Sequence, residues 1–177
     1  MIFHKNIVLK LKHNSTIAIV SMLIMFATQS CGIYSFTGAP ITANTISIDY
    51  IGNKASIINP ALSPDFTDAL RDKFVNQTKL DLVEIDAELK ISGTIMQYRT
   101  ASIAIQGNEE AALNKLTITI KIKFENTMNE EESFNQNFTS FEQYDASKSF
   151  SSVEDQLVEI LMERITQDIF NKALVNW

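Results

Sequence analysis

The side chains with most chemistry to offer here are one thiol, two imidazoles and a few strand-borne cations. Cys31 is the sole cysteine, in MFATQSCGIYSFTG (25–38), just past an apolar run. A lone cysteine can be a buried thiol, a nucleophile, a metal ligand or an attachment point. His4 and His13, the only histidines, both precede it. Lys121 and Lys123, two apart, belong to the alternating run LTITIKIKFEN, with Lys115 near its start. Arg99 lies in the preceding extended run. Such cations could hold phosphates or carboxylates.

What precedes Cys31 narrows its role. Lys5, Lys10 and Lys12 make a basic start, Ile17 to Ala27 is apolar apart from Ser21, and small or polar residues lead to the cysteine. These are the parts of a secretory signal, so residues 1–30 read as a leader. The apolar core is shorter than the ~20 residues that span a bilayer; the other reading is an uncleaved anchor or a buried helix. In an exported chain an unpaired thiol is an oxidation liability. Thr28-Gln29-Ser30-Cys31-Gly32 looks like a bacterial lipobox, with Thr28 where Leu is usual. Cys31 therefore reads as the lipid attachment site, carrying an S-diacylglycerol and an N-acyl chain. Each buried methylene adds about 0.8 kcal/mol of membrane affinity, so such chains anchor stably.

Cleavage before Cys31 removes both histidines, and acylation consumes the thiol. Ser-His-Asp and Cys-His nucleophiles and imidazole or thiolate metal sites are then excluded. Carboxylate, Lys, Tyr or Ser–Lys chemistry would remain, but no acid pair has catalytic spacing, and Asp65 with Asp68 suits a helix start. The expectation is no enzyme, no metal, and no cofactor beyond the covalent lipid. From Cys31 onward twelve basic residues face 21 acidic ones, a net of −9. That balance argues against nucleic acid, which demands phosphate neutralisation, and against docking on anionic lipid by bulk charge.

No repeat or Pro/Gly-rich linker divides residues 31–177, which read as one domain after a short tether (31–44). Thr45 to Ile51 alternates, with Ile46, Ile48 and Tyr50 on one face, and reads as a strand. Ser63 as N-cap and Pro64 at the first helical position open a helix ending near Gln77, with Phe66, Ala69, Leu70 and Phe74 on one face. Leu80 to Val83 and Leu89 to Arg99 are extended, and Gly93 inside the latter suggests a bulge or a close backbone approach. Residues 101–114 read as a long connection. In the next strand Leu116, Ile118, Ile120, Ile122 and Phe124 face one way and Thr117, Thr119, Lys121 and Lys123 the other, as in a sheet covered on one side. Met128 to Ser133 reads as a solvated acidic hairpin tip, and Phe134 to Phe141 as the returning strand. Ser151 with Glu154 matches a capping box before a helix of about six turns, with Val153, Leu157, Leu161, Ile165 and Ile169 at every fourth position and Ile160 beside them. Its polar face is mainly acidic, unlike membrane-surface helices. The expectation is a two-layer α+β sandwich: a mostly antiparallel sheet of about four strands on two helices, in the order β-α-β-β-β-α.

Several stretches, in order, resemble one family. CGIYSFTG (31–38), LSPDFTDALRDKFVNQTKLDLV (62–83), GTIMQYR (93–99), NKLTITIKIKF (114–124) and ERITQDIFNKALVNW (163–177) are similar to the lipopolysaccharide-assembly lipoprotein family LptE, in its Bacteroidota branch. The resemblance implies a small α+β domain tethered to the inner leaflet of the outer membrane, facing the periplasm. It implies a place in the lumen of an LptD-type β-barrel, which such proteins plug and help to assemble while assisting lipopolysaccharide transport. It also implies that Cys31 is the lipidated residue. Gly32 to Gly38 lacks the acidic run that surface-exported lipoproteins of that phylum carry.

Lys115, Lys121, Lys123 and Arg99 are the candidate contacts for lipid A phosphates or acidic lumen residues; the alternative is that they are ordinary solvated cations. Two other functions stay open on the residues alone: a periplasm-facing lipoprotein binding a peptide or small ligand without a barrel, and a carboxylate enzyme.

Overall fold

The computed structural model describes residues 42–57, 59–103 and 112–174. The expected leader, Cys31 and the tether up to residue 41 lie outside the described residues. Strands β1 (Thr45–Ile48) and β2 (Gly52–Asn53) lead into helix α1 (Leu62–Gln77). Strands β3 (Asp81–Leu82), β4 (Leu89–Ile103), β5 (Leu113–Asn126) and β6 (Phe134–Asp145) follow, then helix α2 (Glu154–Leu174). The sheet order is β3-β1-β4-β5-β6, with β2 also paired to β4.

The class is the expected two-layer α+β arrangement, with six strands rather than about four. The sheet is also more mixed than expected. β4, β5 and β6 are antiparallel, whereas β1 runs parallel to both β3 and β4. A helix inserted after the first strand returns the chain to the same end of the sheet, which makes the next pairing parallel. β3 falls inside the Leu80 to Val83 stretch expected to be extended, whereas β2, two residues long, is too short to leave an alternation pattern.

One face of the sheet carries the core. Along β5, Leu116, Ile118, Ile120, Ile122 and Phe124 are each at most 1% exposed, as their spacing predicts. From α1, Phe66, Leu70 and Phe74 are fully buried against this face, joined by Leu161, Ile165 and Ile169 of α2. Phe74 meets Phe170 edge-on, centroids 5.2 Å apart. Each such side chain contributes about 1.5–3 kcal/mol of transfer free energy.

Several local expectations fail. Ser63 is not the N-cap: the helix begins at Leu62, after Ala61, whose N–H is held by Asn59 Oδ1 at 3.0 Å. Ser63 lies buried in the first turn, its carbonyl accepting from the Thr67 hydroxyl. The Ser151–Glu154 capping box does not form, because the Glu154 carboxylate is engaged by Tyr98 and Asn59. Tyr50 points to solvent while Ile51 is buried; the strand breaks after Ile48, and the phase of the alternation shifts. The 101–114 connection is shorter than expected, since β4 continues to Ile103 and β5 starts at Leu113; residues 104–111 lie outside the described ones. β6 likewise continues past Phe141 to Asp145. The acidic tip is more than solvated charge, because Glu132 accepts hydrogen bonds from the side chains of Asn126 and Asn129. Gly93 resolves as a close approach. A Cβ there would lie 2.6 Å from Ile122 Cδ1 and 2.8 Å from the Lys121 carbonyl oxygen.

Candidate functional site: a cationic sheet face

The uncovered faces of β4, β5 and β6 form one surface. Strand pairing places Lys121 between Thr94 and Asn137, and Lys123 between Ser92 and Asn135. Both lysines are exposed. Lys123 Nζ is 2.7 Å from Glu125 Oε1, so part of its charge is answered locally. Further along, Arg99 stands opposite Thr117 and Lys115 opposite Ala101, which makes the two diagonal neighbours. Lys115 Nζ sits 5.5 Å from the centroid of Phe141 in a cation–π arrangement. All four expected cations therefore share one face, but in two groups. Lys121 and Lys115, six residues apart on β5, are about 20 Å from one another along the strand.

Arg99 reaches this face through a bulge. Ile95 pairs with Ile120 and Gln97 with Thr119, so Met96 is an extra residue in β4. Strict alternation from Leu89 would turn Arg99 toward the core. The inserted residue reverses the phase, sending Tyr98 inward at 3% exposure and Arg99 outward. A short hydrogen-bond network holds this phase. The Tyr98 hydroxyl donates to Glu154 Oε1, which also accepts from Asn59 Nδ2 at 3.0 Å. Burial, then the bond to Glu154, pushes the Tyr98 phenol well above its ordinary range. The network ties β4 to the start of α2 and to the loop before α1.

Lys90 is a cation that the sequence reading missed. It is exposed on this face opposite Glu125, and its parity with Ser92 and Thr94 was the available signal. Lys90 and Lys123 line an open depression of about 520 Å³ beside Glu125, Glu130 and Ser133. With Arg99, Lys115 and Lys121 the face carries five cations against Glu125 and Asp145. Met96 and Phe141 are about half exposed on it. Chemically, such a surface suits an anionic partner that also has apolar parts. Among the described residues no three His, Cys, Asp or Glu side chains are grouped to hold a metal ion.

The sequence profile of LptE, described as lipopolysaccharide-assembly, matches residues 43–173. The chain belongs to the LptE family. The match runs from just before β1 to the last turn of α2, so it covers both the helix layer and the cationic face of this LptE domain. The family is one of lipopolysaccharide assembly rather than of catalysis.

Among curated proteins none matches the sequence. Among solved structures, the LptE domain is similar to the protein CT253 from Chlamydia trachomatis, with a TM-score of 0.50 and 7% identity over 74% of this chain and 98% of that one. A minor lipoprotein from Acinetobacter baumannii gives a TM-score of 0.47 and 14% identity, covering 75% and 97% of the two chains. At these identities the likeness to CT253 is one of fold alone. Among the described residues no helix is long and apolar enough to cross a membrane.

Proposed function

We propose that this LptE-family protein is an outer-membrane lipoprotein, anchored through acylated Cys31 and facing the periplasm. It occupies and helps assemble an LptD-type β-barrel, and assists the passage of lipopolysaccharide to the cell surface. The observation that carries this reading is the family match across residues 43–173. The uncovered sheet face supports it, because a barrel lumen is largely polar and a wet, cation-bearing surface is at ease there. Lys115, Lys121, Lys123 and Arg99, with Lys90 added, are the proposed contacts for lipid A phosphates or for acidic lumen residues. Phosphate recognition by such cations rests on charge-assisted hydrogen bonds.

The decisive experiment is affinity purification of the tagged full chain from detergent-solubilised outer membranes. The expected result is a single large barrel protein in about equal amount. A lone monomer carrying a small molecule or peptide would replace this reading with the barrel-free one. Cys31→Ser tests the anchor separately: in cells lacking the barrel, the variant should leave the membrane fraction, and unchanged residence there would refute lipidation at Cys31.

A further inference from the structure

We propose that the free edge of β6, along Asn135 to Thr139, accepts an extended polypeptide segment of the barrel partner as an added strand. This rests on the barrel reading above and says which part of the domain holds that partner.

The two edges of the sheet differ. On one side the outermost strand, β3, has two residues; on the other, β6 has twelve. The parity of β6 follows from its bonds. Ala146 N–H donates to Ala112 O, so even-numbered positions turn toward β5. The Phe141 carbonyl accepts from Arg164 Nη1 at 3.1 Å, so odd-numbered positions turn away from it. Asn135, Asn137 and Thr139 therefore present their N–H and C=O groups at the rim. Among the described residues none bonds to them from that side.

Long edges are ordinarily blunted by proline, lysine, a bulge or a covering element. Residues 134–140, FNQNFTS, contain no proline and no charge, and the register of β6 is unbroken. What protection exists lies further along. Arg164 occupies the Phe141 carbonyl and pairs with Glu142, and Lys148 N–H takes the Asp145 carbonyl. The first half of the strand is left as a template of three alternate residues.

Its surroundings select the occupant. Lys121 and Lys123 lie one strand in, opposite Asn137 and Asn135, and Lys172 Nζ approaches the Phe134 ring at 6.0 Å. An added strand with uncharged or acidic side chains meets no repulsion from these cations, whereas a basic one does. Main-chain bonds supply the affinity in such strand addition, and alternate side chains the specificity. A closed barrel wall has no unpaired strand to give, so the segment comes from a loop or extension outside the wall.

A photo-crosslinking residue at Asn137 of the tagged full chain, activated in intact cells, tests this directly. The expected product joins Asn137 to one barrel peptide outside the membrane strands. Thr139→Pro removes an outward N–H without touching the β5 ladder and should lower that product roughly tenfold. A barrel that copurifies without forming the product, or a product joining two copies of this chain, overturns the inference alone. Absence of any barrel from the wild-type purification overturns the functional reading as well. Should Thr139→Pro fail to fold, the crosslink from Asn137 decides by itself.

Discussion

The two faces of the β4–β5–β6 sheet are made from the same strands, residue by residue in alternation, yet they differ in kind. The covered face is apolar and closed by two helices whose own charges, eight acidic against four basic, are predominantly negative. The open face carries five cations and two acids. A chain of net −9 after Cys31 has thus gathered a positive surface on one side of one sheet. Whole-chain charge is a poor guide to what such a protein touches; the charge of a face, set by strand parity, is the relevant quantity. The covered face should govern stability and the open face should govern binding, and substitutions can separate the two.

The largest effect belongs to the covered face. Phe74 is fully buried and packs edge-on against Phe170, joining α1 to α2. Phe74→Ala should cost about 3–5 kcal/mol through lost transfer energy and the cavity left behind. Urea denaturation of the variant measures this. A loss below ~1 kcal/mol would mean that the helix layer does not carry the stability assigned to it.

A smaller but sharper effect sits at Gly93, on the covered side of β4. Its missing Cβ leaves room for the Lys121 carbonyl, a backbone atom that cannot rotate aside, and for Ile122. Gly93→Ala should destabilise by about 1–3 kcal/mol by overpacking, seen as a lower denaturation midpoint at unchanged slope. A neutral result would mean that β4 and β5 can separate locally, and the rigid spacing of the cations would go with it.

Strong periodicity made much of this legible before any coordinates. β5 has five inward apolar residues in perfect alternation, and α2 repeats Leu157, Leu161, Ile165 and Ile169, so each declares its buried side. The sharing of one face by Lys115, Lys121 and Lys123 followed from the same alternation. Arg99 is different. Its place on that face depends on the Met96 bulge, and nothing in GTIMQYR distinguishes a bulge at Met96 from one at Gly93. The two misassigned caps have different causes. The Ser63 cap fails locally, because Asn59 holds the N–H of Ala61, two residues on, and the helix starts earlier. The Ser151 capping box fails because Asn59 and Tyr98, distant in sequence from Glu154, hold its carboxylate. Long-range hydrogen bonds of that sort leave no periodic trace.

The Glu88 carboxylate accepts from the backbone N–H groups of Asn44 and Thr45. The bond to Asn44 is the main reason that its pKa lies below the ordinary carboxyl value. A depressed folded-state pKa means stability that is present above the unfolded carboxyl range and lost as pH falls through the folded value. Glu88→Gln should therefore melt lower than wild type at neutral pH, and the gap should close as pH falls below the ordinary carboxyl range. A gap that persists into acid would assign the effect to packing rather than to charge.

The smallest effect on stability is expected at the positions with the largest expected effect on binding. Lys121 and Lys123 are exposed, and the Lys123–Glu125 pair is about half exposed on both sides. Such pairs are worth ~0–1 kcal/mol, and surface changes of this kind stay near ±0.5 kcal/mol. Lys121→Glu with Lys123→Glu should thus leave the denaturation midpoint almost unmoved while turning the open face from net positive to net negative. Retention of lipopolysaccharide, or of the barrel, by the purified chain should fall sharply under the same conditions. If both survive, these lysines are solvated strand residues and no more. If the unfolding free energy falls by several kcal/mol instead, the open face contributes to folding after all, and the division of labour between the two faces is wrong.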